Sequence, residues 1–291
     1  GSSMCRILLQ DGFSVLGYDI DPERISAMVD EGIEPRTSAA AVASDCTIVL
    51  LSLPDSRASE AACLGPDGIL AADNPDLLVI ETTSGYPDAT LAIAAELAKQ
   101  RMRMVDAAIT GEVGGAIALP QRALTWCVGG ADADVAEAQP LLERMSRYFF
   151  HVGPLGSGQI VKMVNNMAGA AAGIATMEGL LAAAKHGIDV KAAARVLDKG
   201  TGMNFFVRNA DMMFADDGPR RGGFQIGLMT KDLRHMSKFA HECGVPSLMT
   251  DQAFHIFELF TRQVGYDADI LSQAEIMQQW AGVTFRGKPL E

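Results

Sequence analysis

Positive charge is in short supply: 24 lysines and arginines face 36 aspartates and glutamates, a formal net charge of −12. No basic tract interrupts that acidity, which argues against nucleic acid or an anionic membrane as the main partner. An anionic substrate would need a local positive site rather than long-range attraction. Cysteine is sparse as well. Cys5, Cys46, Cys63, Cys127 and Cys243 are scattered, odd in number and form no CxxC pair. That pattern excludes a disulfide framework and a zinc site, and it suits reduced thiols in a cytosolic protein. No HxxxH spacing or His/Cys cluster is present, so no metal is expected. Unbroken runs of about 18 apolar residues are missing, and no signal peptide precedes the first helix. A soluble cytoplasmic protein is the expectation.

What is present is a chain of 291 residues, 48% hydrophobic, enough for a large core and about two domains. In the first half, apolar runs recur at Phe13 to Tyr18, Thr47 to Ser52, Leu77 to Ile80, Met102 to Val105 and Leu124 to Val128. Amphipathic segments lie between them, such as Pro22 to Val29 and Pro87 to Lys99, each with a helix-start signal before it. Short buried strands alternating with helices predict βαβ units and a largely parallel sheet. After His151 the texture changes. Gly158 to His186 is broken only by small glycines, which predicts a helix of about 28 residues, roughly 42 Å long. Beyond it every segment has helical period. The predicted architecture is an α/β domain over 1–155 and an all-helical domain over 156–291, joined by the long helix.

Near the start of that helix, Lys162-Met163-Val164-Asn165-Asn166 follows Gly156-Ser157-Gly158. Lys162 and Asn166 stand at i and i+4, one turn apart, so both can point into one cleft. A lysine becomes a general acid or base once its surroundings draw its pKa from about 10.4 toward about 7–8. An asparagine at that spacing can hold the amine or a substrate hydroxyl without adding charge.

The amino-terminal end is unusual for a dinucleotide fold, which opens with a strand, then GxGxxG, then a helix facing the pyrophosphate. Here Gly1 fits the third glycine and leads into a helix around Cys5 to Gln10, so the first strand and two glycines are absent. The chain reads as lacking about ten residues of that motif; a cloning remnant is the other reading of Gly1-Ser2-Ser3-Met4. Asp19, at the end of the next strand, can accept both ribose hydroxyls of NAD and would repel a 2′-phosphate. Arg24 is the nearby candidate for a phosphate, and a helix-start acid is the alternative reading of Asp19.

Taken in order, these segments resemble the β-hydroxyacid dehydrogenases, typified by 3-hydroxyisobutyrate dehydrogenase and related to 6-phosphogluconate dehydrogenase. The family's GxxMAxxLxxxGxxVxxYD is similar to Gly1 through Tyr18-Asp19, its LP to Leu53-Pro54, and its DxST to Glu81-Thr82-Thr83. Its DAPVSGGxxGA resembles Asp106 to Ala116, GxGxxxKxxNN is matched without change by Gly156 to Asn166, and FxxxLxxKDL resembles Phe224 to Leu233. The likeness runs from Gly1 to about Ala281.

The resemblance implies a Rossmann-type domain, here with its first strand missing, followed by an all-α domain, in a homodimer or homotetramer. It implies Lys162 as catalytic acid/base with Asn166 as its partner and Asn165 beside it. Thr110 and Gly111 would bind a substrate carboxylate. Gly1, Asp19, Leu53, Pro54 and Thr83 would line NAD, with Phe224 and Lys231 closing over its nicotinamide end. The implied reaction is NAD-dependent oxidation of a small 3-hydroxy acid, or the reverse. Thr110 replaces the family serine and keeps its hydroxyl, whereas Glu112 replaces a glycine. Facing a pocket, Glu112 would repel a second acidic group; facing solvent, it would do nothing. The loop from Ile117 to Arg122 reads as longer than the family's. An NADP-dependent semialdehyde or imine reductase of the same superfamily is the runner-up, against which Asp19 and Lys162 argue. A non-catalytic nucleotide-binding module is the third reading. His151 reads as structural at a strand end and His186 as a helix-terminal residue.

Overall fold

Three helices of the first half begin where a short polar side chain takes up an unpaired backbone N–H. Asp21, Ser38 and Asp55 accept from the N–H groups of Glu23, Ala41 and Ala58. The computed structural model describes residues 1–111, 114–210, 214 and 222–290. It divides into two compact units, Gly1–Lys162 and Met163–Glu291.

In chain order the first unit contains α1 (Ser2–Gln10), β1 (Leu16–Gly17), α2 (Pro22–Val29), β2 (Glu34–Pro35), α3 (Ala39–Asp45), β3 (Ile48–Leu51) and α4 (Ser56–Leu64). Then come β4 (Leu78–Glu81), α5 (Pro87–Ala98), β5 (Arg103–Thr110), α6 (Gly115–Ala118), β6 (Leu124–Gly129), α7 (Asp132–Leu142) and β7 (Ser146–Gly153). Strands β3 to β7 form one sheet in sequence order, and β1 and β2 form a separate parallel ladder. Period-two alternation sorts the sheet's side chains onto two faces. Leu78, Ile80, Val105, Ala107 and Trp126 pack with Met4, Ile7 and Leu8 of α1 and with Leu142 of α7. Leu77, Val79 and Met104 pack on the other face with Ala43, Cys63, Ile93 and Leu97 from α3, α4 and α5. A sheet covered on both sides is what near-continuous apolar strands demand.

The sheet is largely parallel, as expected: β5 and β6 pair antiparallel, and its other three pairings are parallel. Two expectations need correction here. The run at Phe13 to Tyr18 yields only the two-residue β1, since its partner β2 is equally short and Phe13 is exposed. The segment after Ala116 is no open loop: α6 and a 3₁₀ turn at Leu119–Gln121 occupy it. Arg122 then takes a left-handed conformation and donates twice to Asp11, at 2.6 and 2.8 Å.

Helix α8 (Ser157–Lys185) begins in the first unit and continues through the second. Within the second, Ala170, Ile174, Met177, Leu181 and Ala184 are buried at steps of four and three, one face of a helix. They share a core with residues of α9 (Val190–Asp198), α10 (Phe205–Arg208), α11 (Ile226–Glu242), α12 (Leu248–Val264) and α13 (Ser272–Ala281). Gly173 has no room for a side chain, because a Cβ there would run into the Phe206 ring. By length and composition α8 could cross a membrane, with mean hydropathy 1.4 over its best window. A search for unbroken apolar runs misses this because asparagines and glycines punctuate the helix, and its regularly buried face is that of a core helix. No strand follows β7 among the described residues, only isolated bridges such as Gln225 to Asp269.

Candidate active site

In the first unit, β3 and β4 end level with the middle of β5, with Leu51 opposite Glu81 and Glu81 opposite Asp106, and β5 runs on to Thr110. Ligands of open α/β sheets bind outside such carboxyl ends. Leu53 and Thr83, just beyond the strand ends, are tied together, for Leu53 N donates to Thr83 Oγ1 at 3.0 Å. Pro54 next to Leu53 is exposed. Thr83 N in turn donates to Glu81 Oε1 at 2.8 Å. Thr110 and Gly111, at the far end of β5, are partly exposed.

Asp106 is fully buried and acts on the first turn of α8. Its Oδ1 accepts from Gly156 N at 2.6 Å and its Oδ2 from Gln159 N at 2.8 Å. A helix start leaves such N–H groups without intrahelical partners, and a carboxylate there also meets the positive end of the macrodipole. Burial nevertheless pushes its carboxyl above the usual range, with those N–H bonds opposing the shift. The two glycines of the motif follow from this closeness. Gly156 has φ +92°, and a Cβ at Gly158 would meet the Cys127 carbonyl oxygen and Asp106 Oδ2. Gln159, 1% exposed, donates from Nε2 to Thr83 O at 2.6 Å and accepts from Gly85 N at 3.0 Å. Lys162 lies three residues on in α8 and is buried. Its charge is felt by Cys127 of β6, whose thiol is pushed up chiefly by burial.

In the second unit, buried Asn166 donates from Nδ2 to Asp232 Oδ2 at 2.7 Å, and Asn165 donates to Asn166 Oδ1 at 3.2 Å. Lys231 Nζ lies 3.5 Å from Asp232 Oδ1. Asp232 therefore gathers Asn166 and Lys231, both singled out by sequence, around a carboxylate that was not. Phe224 is partly buried against the helical core.

Gly1 and Asp19, the sequence-predicted nucleotide contacts, both belong to the first unit. The Gly1 ammonium donates to Ser52 Oγ at 2.9 Å, and its pKa is lowered by burial and raised in part by Cys5 and Asp19. Helix α1 starts with no side-chain cap, which leaves its first N–H donors suited to an anion. Asp19 Oδ1 accepts from Asp21 N at 2.9 Å in a local turn. Arg24, the candidate for a 2′-phosphate, is ion-paired with Asp21 at 3.3 Å. Asp19 offers an acidic acceptor, which fits a ribose diol better than a phosphomonoester, so its chemistry suits NAD.

Sequence reasoning named Lys162, Asn165, Asn166, Lys231 and Thr83 but missed Glu81, Asp106, Gln159 and Asp232 as buried polar partners. The signal available was that each sits inside a motif already noticed. Glu112 lies outside the described residues. Among the described residues no group of three or more His, Cys, Asp or Glu side chains gathers at metal-binding spacing. Two surface cavities, of about 490 and 590 Å³, are lined by residues around Leu70 to Asp73 and around Ala184 to Lys191 and lie away from these groups.

Residues 1–153 match the NAD-binding domain of 6-phosphogluconate dehydrogenase. Residues 156–277 match the NAD-binding segment of NADP-dependent 3-hydroxyisobutyrate dehydrogenase. Among curated relatives, 2-(hydroxymethyl)glutarate dehydrogenase of Eubacterium barkeri is 29% identical over 99% of this chain and 94% of its own length. The NAD-dependent L-serine dehydrogenase of Pseudomonas aeruginosa is 30% identical over 91% of this chain and 90% of its own. The solved Mycobacterium tuberculosis 3-hydroxyisobutyrate dehydrogenase with L-serine shares the fold, with TM-score 0.84, 24% identity, and coverage of 96% of this chain and 94% of that one.

Proposed function

This chain belongs to the β-hydroxyacid dehydrogenase family, and from that premise we propose how its residues divide the work. It is an NAD-dependent oxidoreductase of small 3-hydroxy acids. NAD, which the residues named below would hold, would supply the hydride acceptor for the carbinol carbon. Lys162 takes the hydroxyl proton as the C–O bond becomes a carbonyl, and returns it in the reductive direction. General acid–base help of this kind is worth about 10²–10⁴-fold. Asn166, oriented by Asp232, holds the substrate beside the amine with Asn165. Thr110 and Gly111 take the substrate carboxylate. Within the first unit, Gly1, Asp19, Leu53, Pro54 and Thr83 take the cofactor, with Asp19 accepting from the adenosine ribose.

The relatives' substrates share one chemical unit. In 2-(hydroxymethyl)glutarate, serine and 3-hydroxyisobutyrate alike, a primary alcohol sits on the carbon that bears the carboxylate. A 3-hydroxy acid with that unit is the substrate class we assign here. Scattered cysteines without a disulfide pattern support a cytoplasmic location, and family membership supports a homodimer or homotetramer.

The observation that carries this reading is a lysine buried to 8% exposure on a helix whose first turn is fixed to the strand ends. Its test is a screen of such acids with NAD and with NADP, run on the wild type and on Lys162→Ala. Turnover of at least one acid with NAD, falling about 10²-fold or more in the variant, is expected. Equal rates in the two proteins would remove the lysine from the chemistry.

A further inference from the structure

We infer that Gln159 is a positioning residue, holding the helix turn that bears Lys162 at a fixed separation from the Thr83–Gly85 segment. The inference rests on the assignment of Lys162 as acid/base and Thr83 as cofactor contact made above. Gln159 is neither of these, yet both amide atoms of its side chain are committed across the strand edge. Nε2 donates to Thr83 O at 2.6 Å and Oε1 accepts from Gly85 N at 3.0 Å. Its own backbone N–H is held from beneath by Asp106 at 2.8 Å. Three contacts, two from the segment after β4 and one from β5, thus converge on one residue that is 1% exposed.

Residues three apart on a helix share a face, so Gln159 and Lys162 look the same way from α8. The segment that Gln159 grips also receives Leu53 N at Thr83 Oγ1. The result is one continuous chain of bonds from Leu53 through Thr83 and Gln159 to the turn below Lys162. A helix cap alone would need only Asp106, and the side-chain clasp of Gln159 adds nothing to the helix's own hydrogen bonds. What it adds is a fixed offset between the amine and the segment expected to touch the cofactor. Misplacing a reacting group by about 1 Å can cost on the order of 10²-fold in rate.

The test compares Gln159→Leu, Gln159→Glu and the wild type, each checked for folding by circular dichroism. Leucine keeps the volume and loses both bonds; glutamate keeps the acceptor for Gly85 N and loses the donor to Thr83 O. For Gln159→Leu, kcat is expected to fall about 10- to 100-fold while KM for acid and for NAD stays within about threefold. The primary isotope effect on kcat, with substrate deuterated at the carbinol carbon, is expected to rise as hydride transfer becomes limiting. Gln159→Glu should fall between the two. A kcat within about twofold of wild type and an unchanged isotope effect in a folded variant would overturn the inference. So would unfolding of both variants, since the side chain would then be structural. Should the wild type turn over none of the acids, the functional reading fails instead. A crystal structure of Gln159→Leu then decides the positioning claim: an unaltered separation of Thr83 from Lys162 defeats it, a displaced Lys162 supports it.

Discussion

Glu81 carries its carboxyl where water does not reach, at 2% exposure on the interior strand β4. Desolvation raises its pKa, and bonds from Ser59 and Thr83 only partly oppose the shift. The folded protein therefore holds this proton more tightly than the unfolded chain does. Its contribution to stability is fully present below the unfolded value, near about 4.3, and is lost as pH climbs through the raised one. Glu81→Gln keeps Oε1 for the Thr83 N–H and removes the charge. It is expected to melt about 2–4 °C above wild type at pH 8, with the gap closing below about pH 4, by calorimetry. A gap that widens in acid would contradict this account. At this scale the sequence made Lys162 and Asn166 legible, because their spacing within a glycine-framed motif is local. Asp106, Gln159 and Asp232 were not, since their bonds to Gly156, Thr83 and Asn166 span 50, 76 and 66 residues.

Helix α8 was read nearly to its ends, because a long breaker-poor stretch closed by His186-Gly187 leaves little choice. The β elements were harder. β7 carries exposed Tyr148 and Phe150 at the margin of the sheet, so no alternation of apolar and polar residues marks it. The reversal at β6 was equally invisible, for strand direction is set by the connection and not by the strand's own residues. Glycines along α8 offer a contrast at the same scale. Gly158→Ala would drive a methyl into the Cys127 carbonyl and the Asp106 carboxylate, whereas a Cβ at Gly179 meets nothing within 4 Å. Gly158→Ala is expected to cost about 1–3 kcal/mol. Gly179→Ala is expected to be neutral or stabilising by up to about 1 kcal/mol. Urea titrations followed by circular dichroism measure both, and a reversed order would show that the approach of α8 to β5 and β6 is looser than described.

For the whole molecule, cofactor choice is the property that composition foreshadowed least. A net charge of −12 disfavours polyanions in general, yet it does not choose between two dinucleotides differing by one phosphate. On the proposed reading Asp19 makes that choice locally, beside an Arg24 that pairs with Asp21. NAD is expected to raise the melting temperature more than NADP at equal concentration. At 100 times its Kd, a ligand confined to the native state adds about 2.7 kcal/mol. A larger shift with NADP would reverse the cofactor assignment. The division into an α/β unit and a helical unit was legible because strand-like runs stop after residue 153, a change of texture that needs no tertiary information.

The main sheet ends at β7, which pairs with β6 alone among the described residues and leaves Tyr148 and Phe150 exposed, their rings stacked at 6.3 Å. Backbone amides and carbonyls along an unshared margin recruit extended chain from whatever source comes first. Concentrated solutions of this polypeptide should therefore cluster laterally, and Tyr148→Lys should disperse the clusters when followed by light scattering.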